Sequence, residues 1–271
     1  MAKTIANNIS FTGRIGDYTF YRRRGQIIVR PRRNAFDCRK LGIPQKQRSV
    51  SLSNCNNLWR QFQPDCKPIF TQGHGGSTAY SQFLSHAMQA SPIYLTREQG
   101  RAGGCVATNV AVSDGTLPPI RLQADAVAPA TSIRLGGLTD TTGLTVGQLT
   151  QAVLDHNADF LSGDCLLYYL FLQWWDAEAG CPRVRISCQS LTLTPADPRP
   201  LADVVGSCIG FAVHDGRLAA SQNPQGGMAW VHLRPGSHPQ VSHQQLLCNN
   251  SLITQYGSDE AFEAACRSYN L

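Results

Sequence analysis

Between Asp164 and Asp176 lie eleven residues, "CLLYYLFLQWW", interrupted only by the amide of Gln173. A bilayer-spanning helix needs about 18 apolar residues, so this run is too short to cross a membrane. Its length and its Leu, Tyr, Phe and Trp content read as one long buried strand. A strand of this kind commits the chain to a β-rich core.

The sequence around it agrees. "CVATNVAVSDG", "IRLQADAV" and "SIRLGGL" are short β-like runs separated by Gly, Pro and Asp turns, and "PRVRISCQSLTLTP" follows the long strand. "CIGFAVHDGRLAAS" carries Asp215-Gly216 between two strands, a strong hairpin signal. "GGMAWVHLRPGS" and "QVSHQQLLCNN" add further strands.

Helical spacing appears in four places. Pro44 suits a first turn, and Val50, Leu58, Trp59 and Phe62 keep the period until Pro64. A second helix is capped near Ser77, with Tyr80, Phe83, Leu84 and Met88 on one face and Pro92 as its stop. Thr145 caps a crossover helix through Val146, Leu149, Val153 and Leu154, and Ser258 opens a terminal helix with Asp259 and Glu260 in its first turn. The expected class is α+β: a β-hairpin arm over 1–40, a helical segment over 41–100, and a β-rich domain over 101–271. That last domain should be a mostly antiparallel, sandwich-like body.

The amino terminus departs from this pattern. Residues 1–48 hold 12 of the 24 Lys and Arg but only Asp17 and Asp37 as acids, a balance of +10, while the remainder stands at −4. Alternation in "DYTFYRRR" places Tyr18, Phe20 and Arg22 on one strand face and Thr19, Tyr21 and Arg23 on the other. Gly25 supplies a turn, "QIIVRPRR" runs back, and Pro31 marks an edge or an end. "GRIG", Gly13 to Gly16, reads as a tight turn or bulge. A lone hairpin is marginal in water, so this one needs a sheet to join. A neighbouring copy is the expected donor, by strand addition.

Two uses follow for an arm built from Arg14, Tyr18, Phe20, Tyr21, Arg22, Arg23, Arg24, Ile27, Val29, Arg30, Arg32 and Arg33. Tyr and Arg are common anchors at protein interfaces, and a cationic arm meets the acidic body of another copy. The same groups stack bases and neutralise phosphates. A solvated hairpin without a partner is the bland alternative.

Catalytic motifs are missing. The chain has no G-x-S-x-G and no phosphate loop ending in Lys-Ser/Thr, and "GRAGG" (Gly100 to Gly104) is a flexible turn. Acidic pairs such as Asp164 with Asp176 have nothing to place them in a cleft. His232, His238 and His243 sit near one turn and would suit a metal only if they shared a sheet face, with Cys181 and Cys188 as weaker additions. No cofactor is expected.

None of the ten cysteines (Cys38, Cys55, Cys66, Cys105, Cys165, Cys181, Cys188, Cys208, Cys248 and Cys266) forms a C-x-x-C. Several lie in apolar runs, so mostly reduced, buried thiols are expected. "MAKTIANNIS" lacks a secretory apolar segment, and synthesis in the cytoplasm without a signal peptide is the expectation.

The pattern F-x-G-R-I-G-x-x-x-F-Y-x-x-x-G-x-x-x-V-R is carried by Phe11, Gly13, Arg14, Ile15, Gly16, Phe20, Tyr21, Gly25, Val29 and Arg30, with "Q-x-Q-R" at Gln45, Gln47 and Arg48. It resembles an uncharacterised bacterial family of gut anaerobes and mobile elements, in which a glycine-rich basic hairpin precedes a helix and a β-rich domain. "GDCLLYYLFLQ", "GGMAWVHLR", "VSHQQLLCNN" and "RSYN" are similar to one subgroup. The resemblance implies a bacterial or phage-like origin and a non-enzymatic, assembly-forming role. The expected function is a structural protein that self-assembles into an oligomer, filament or virion-like body, with nucleic-acid binding by the same arm as the alternative. The expected partners are further copies of itself and, on the alternative, nucleic acid; no membrane is expected.

Overall fold

A computed structural model describes residues 3–5, 12–23, 26–31, 41–71, 77–124 and 128–271. The chain divides into two compact units, Met1–Leu41 and Gly42–Leu271.

The first unit is a four-stranded antiparallel sheet. Strands β1 (Lys3–Ile5), β2 (Gly13–Ile15), β3 (Tyr18–Arg23) and β4 (Gln26–Pro31) lie in the order β1-β4-β3-β2. The hairpin read from the alternation is β3 with β4, and Pro31, which has no N–H to donate, is the last described residue of β4. "GRIG" is more than a turn: Gly13–Ile15 is itself a strand. The reversal falls on Gly16 and Asp17, with Gly16 at φ +52° in the region that favours glycine.

The second unit begins with α1 (Ile43–Gln61), β5 (Ile69–Phe70), α2 (Ala79–Ala87) and α3 (Arg97–Arg101). Then come β6 (Ala111–Asp114), β7 (Leu122–Gln123), β8 (Ala130–Arg134) and α4 (Val146–His156). The long strand β9 (Cys165–Asp176) pairs with β10 (Cys181–Thr192) along its whole length. Next are α5 (Leu201–Val205), β11 (Ala212–His214), β12 (Arg217–Ala219) and β13 (Gly226–Arg234). The chain closes with β14 (Gln240–Val241), β15 (Gln244–Gln245), β16 (Leu247–Asn249), α6 (Leu252–Tyr256) and α7 (Asp259–Tyr269).

The central sheet runs β10-β9-β13-β14, with β16 also on β13. Side chains alternate across it, and both faces are covered. Leu167, Tyr169, Phe171, Val184, Ile186, Ala229 and Val231 meet Cys55 and Leu58 of α1, Phe62 just after it and Phe83 of α2. On the opposite face Leu166, Tyr168, Met228 and Trp230 meet α4 through Leu149 and Val153, α5 through Leu201 and Val205, and the small sheet β11-β12-β8-β7 through Ile133 and Leu218. Burial on both faces is why β9 shows no polar alternation through Phe171. Each Leu or Phe so buried contributes about 1.5–3 kcal/mol. The protein is α+β with a β-rich, mostly antiparallel body; β5 against β6 is a parallel exception.

Local signals set the helix ends. Thr145 Oγ1 accepts from Gln148 N–H at 3.2 Å, and Ser258 caps α7 in the same way. The cap of α2 is Thr78, one residue beyond the expected Ser77. Asp215 (φ +49°) and Gly216 (φ +66°) form the two-residue turn between β11 and β12.

"CVATNV" differs from its reading as a strand. Residues 105–108 and Val110 are buried outside any strand, and side-chain amides take the place of a neighbouring strand there. Asn54 accepts from Val106 N–H (2.7 Å) and donates to its carbonyl (3.1 Å). Gln173 Oε1 accepts from Ala107 N–H (2.8 Å), while its Nε2 donates to the Cys105 and Arg183 carbonyls. Asn250 donates to the Ala107 carbonyl (3.0 Å). A buried backbone must bond somewhere, and these three amides meet much of that need.

Candidate functional site

The register of the first unit sorts the expected interface residues onto two faces. Gly13, Phe20 and Val29 form one cross-strand row, Ile15, Tyr18 and Pro31 a second, and Arg22 and Ile27 a third. Residues directly opposite share a face and alternate residues change it, so these rows lie together. The β2, β3 and β4 rows of this face are apolar apart from Arg22, Lys3 of β1 stands opposite Val29 on the same face, and Ile15 and Tyr18 on it are 57% and 53% exposed.

The other face holds Arg14, Thr19 and Arg30 in one row and Tyr21 and Ile28 in the next. Arg30 Cζ stands 5.2 Å from the Tyr21 ring centroid, a cation–π contact. Arg22 is thus separated from Arg14 and Arg30 by the sheet itself. Arg24, Arg32 and Arg33, the Gly25 turn and Cys38 lie outside the described residues, as does the side chain of Arg23.

Strand addition to the hairpin by another copy was the expectation, and here the architecture differs. Both edges of the β3–β4 hairpin carry strands of the same chain, β2 on one side and β1 on the other. The short "GRI" segment folds back as a strand because Gly16 allows the reversal.

In the body, His232 and His243 do not converge on one site as the expected metal cluster would require. His232 Nε2 lies 2.7 Å from Asp164 Oδ2, whereas His243 Nδ1 lies 3.0 Å from Asp114 Oδ1, and His238 sits in an exposed turn. Among the described residues no group of three His, Cys, Asp or Glu is placed to hold a metal. Asp114 also faces His86 Nε2 at 3.5 Å, and His86 stacks on Phe70. Asp164 and Asp176 do not form a pair either: Asp176 bonds Arg183 across the end of the β9–β10 hairpin.

Sequence reasoning named Asp164 and His232 separately and missed their meeting. Asp164 is 2% exposed and His232 1%. Arg234 donates to both carboxylate oxygens, from Nε and Nη2, each at 2.9 Å, and Leu161 N–H adds a further bond at 2.9 Å. Burial pushes the Asp164 carboxyl upward, but the bonds from Arg234, His232 and Leu161 outweigh it and hold it below the usual carboxylate range. Burial drives the His232 imidazole below its ordinary value against the pull of Asp164, so the ring is neutral near pH 7.

The two residues share a sheet end, Asp164 just before β9 and His232 near the end of β13, where Leu166 pairs with His232. The ring of Phe160 stacks on His232 with centroids 4.1 Å apart. Among the described residues, no helix is long and apolar enough to cross a membrane. The chain matches no family model, no curated protein and no solved structure.

Proposed function

We propose that this chain is a non-catalytic structural protein that self-assembles through its amino-terminal sheet. The observation that carries the reading is the apolar face of Ile15, Tyr18, Phe20 and Val29, on which Ile27 is already buried while Ile15 and Tyr18 are more than half exposed. A unit of about 40 residues buries too little apolar surface to be stable unaided. Two such sheets packed face to face at about 10 Å would each cover the other. The +10 amino-terminal segment and the −4 remainder add an orientational preference between copies, and the resemblance to a mobile-element family accords with an assembly role.

The test compares the solution mass of the full chain with that of residues 42–271, which contain the whole layered core. Ordered oligomers of the full chain in electron micrographs, and monomers after truncation, are the expected pair of results. A full chain that stays strictly monomeric at moderate salt overturns the reading.

A second reading, nucleic-acid binding, is favoured by Arg14, Tyr21 and Arg30 on the opposite face, with Arg30 stacked on Tyr21. Single-stranded DNA affinity should then fall steeply with rising salt, and no binding at low salt removes this reading.

A further inference from the structure

A cleft of about 430 Å³ opens in the body, and Arg121, Arg134, His156, Asp159, Phe160 and His232 are among its lining residues. Such a volume lies at the small end of the range for organic ligands. The geometry points to a binding site for a small planar organic anion that also carries a hydroxyl or N–H donor.

His232 is the first reason. Its Nε2 faces a carboxylate and therefore donates, so in the neutral ring Nδ1 carries the lone pair. No described residue bonds Nδ1. His232 lines the cleft with a ring nitrogen that no described residue engages. A ligand O–H or N–H seated in the cleft would give that nitrogen a partner. Asp164, itself held by Arg234 and Leu161, fixes the ring's tautomer and orientation.

The cations are the second, independent reason. Arg134 of β8 and Arg217 of β12 stand directly opposite each other across the strand pair. Like charges in that position repel. On the other side of β8, Arg121 lies beside Ser132, whose Oγ accepts from Arg121 N–H at 3.1 Å. None of the three guanidinium groups has a carboxylate within ion-pairing distance among the described residues. Asp159 is the one carboxylate of the described lining, and its carbonyl is bonded to Arg234. A carboxylate or phosphate seated between Arg121 and Arg134, both of which line the cleft, would give each guanidinium a counter-charge, with bidentate geometry available from each.

Shape supplies the third. Phe160 lies against His232 with 25° between the ring planes, and Pro118 and Pro119 also line the cleft. Flat, rigid walls favour a flat ligand body. His156 is fixed as well: its Nδ1 donates to the Ala152 carbonyl at 3.0 Å, and its ring rests on Gly136, where a Cβ would come within 2.5 Å.

The experiment is equilibrium dialysis of the full chain against 4-hydroxybenzoate, which has an anion at one end and a donor at the other. Benzoate lacks the donor and phenol lacks the anion. Saturable binding of 4-hydroxybenzoate is expected, with benzoate and phenol each about tenfold weaker, roughly the worth of one charge-assisted hydrogen bond. Arg121→Gln and Arg134→Gln, both exposed and safe for folding, should each weaken it by a similar factor, while Arg185→Gln on the distant hairpin should not. No saturable binding up to about 10 mM, equal binding of all three probes, or arginine variants that bind like the parent would each overturn the assignment.

Discussion

Asp164 Oδ2 lies 2.7 Å from His232 Nε2, and both side chains are almost wholly removed from solvent although 68 residues separate them in the chain. The carboxylate also receives two bonds from Arg234. Asp164→Asn removes the one negative charge among these partners and turns an amide NH₂ towards their donors. Losing one member of a buried ion network costs about 3–5 kcal/mol. Denaturant titration should show that loss at unchanged slope; a variant within about 1 kcal/mol of the parent would mean the network is effectively solvated.

Acid should destabilise the body in two steps. His232 is held neutral in the fold, and the facing groups are Asp164 and Arg234, with Asp159 nearby and Phe160 against the ring. Its folded pKa is depressed, so below the ordinary value of 6.5 the unfolded chain binds a proton that the folded one refuses. Stability therefore falls as pH drops below 6.5 and levels off under the depressed folded value. Asp164, also depressed, holds its contribution above 3.8 and loses it as pH falls further. Melting curves between pH 7.5 and 5 should show the first slope in the parent and a flatter one in His232→Asn.

Gln173 is buried and serves three backbone groups. Gln173→Leu keeps the bulk and strands those groups, at a cost of about 1–3 kcal/mol. Hydrogen exchange at the Ala107 amide should accelerate well beyond that of Trp230, which lies in the central ladder. Equal acceleration at both sites would indicate global loss rather than the local one expected.

The cysteines should be slow to react. Burial pushes the thiols of Cys105, Cys188 and Cys248 up to about 12, and Cys55 to about 11. Little thiolate then exists at pH 8, and thiolate is the nucleophile. Iodoacetamide should leave these four unmodified in native protein and label them after denaturation, read by peptide mass. Rapid native labelling of Cys105 would contradict the packing described.

Opposite faces of the amino-terminal sheet should separate the two proposed uses of the arm. Tyr18→Glu or Ile15→Glu places a charge on the apolar face and should shift the solution mass towards monomer. Arg14→Gln and Arg30→Gln should leave the mass unchanged while reducing the salt slope of any nucleic-acid binding by about one each. The same mass from all four variants would dissociate the assembly reading from this face.

Much of the fold was legible because the relevant forces act over a few residues. Thr145 and Ser258 cap where a hydroxyl precedes an apolar period, and Asp215-Gly216 turns because both positions accept positive φ. "CVATNV" misled because its apolar residues share a strand's composition, while its partners are the amides of Asn54, Gln173 and Asn250 from three distant segments. Reading "GRIG" as a turn alone missed β2, since three residues are too few to show a period.

The arginine- and tyrosine-rich arm was visible as a composition bias, but its division into an apolar face and a cationic face depends on a register that two flanking strands complete. His232, Asp164, Arg121 and Arg134 carry no motif among them. By itself the sequence determined which segments become helices and strands, where they stop, and that β9 must be buried, because those follow from capping, period and burial of neighbouring residues. Only the tertiary structure decided that Asp164 meets His232, that Arg134 faces Arg217, and that a cleft opens beside them. Those meetings are fixed by strand pairing and layer packing between residues far apart in the chain, and no local pattern records them.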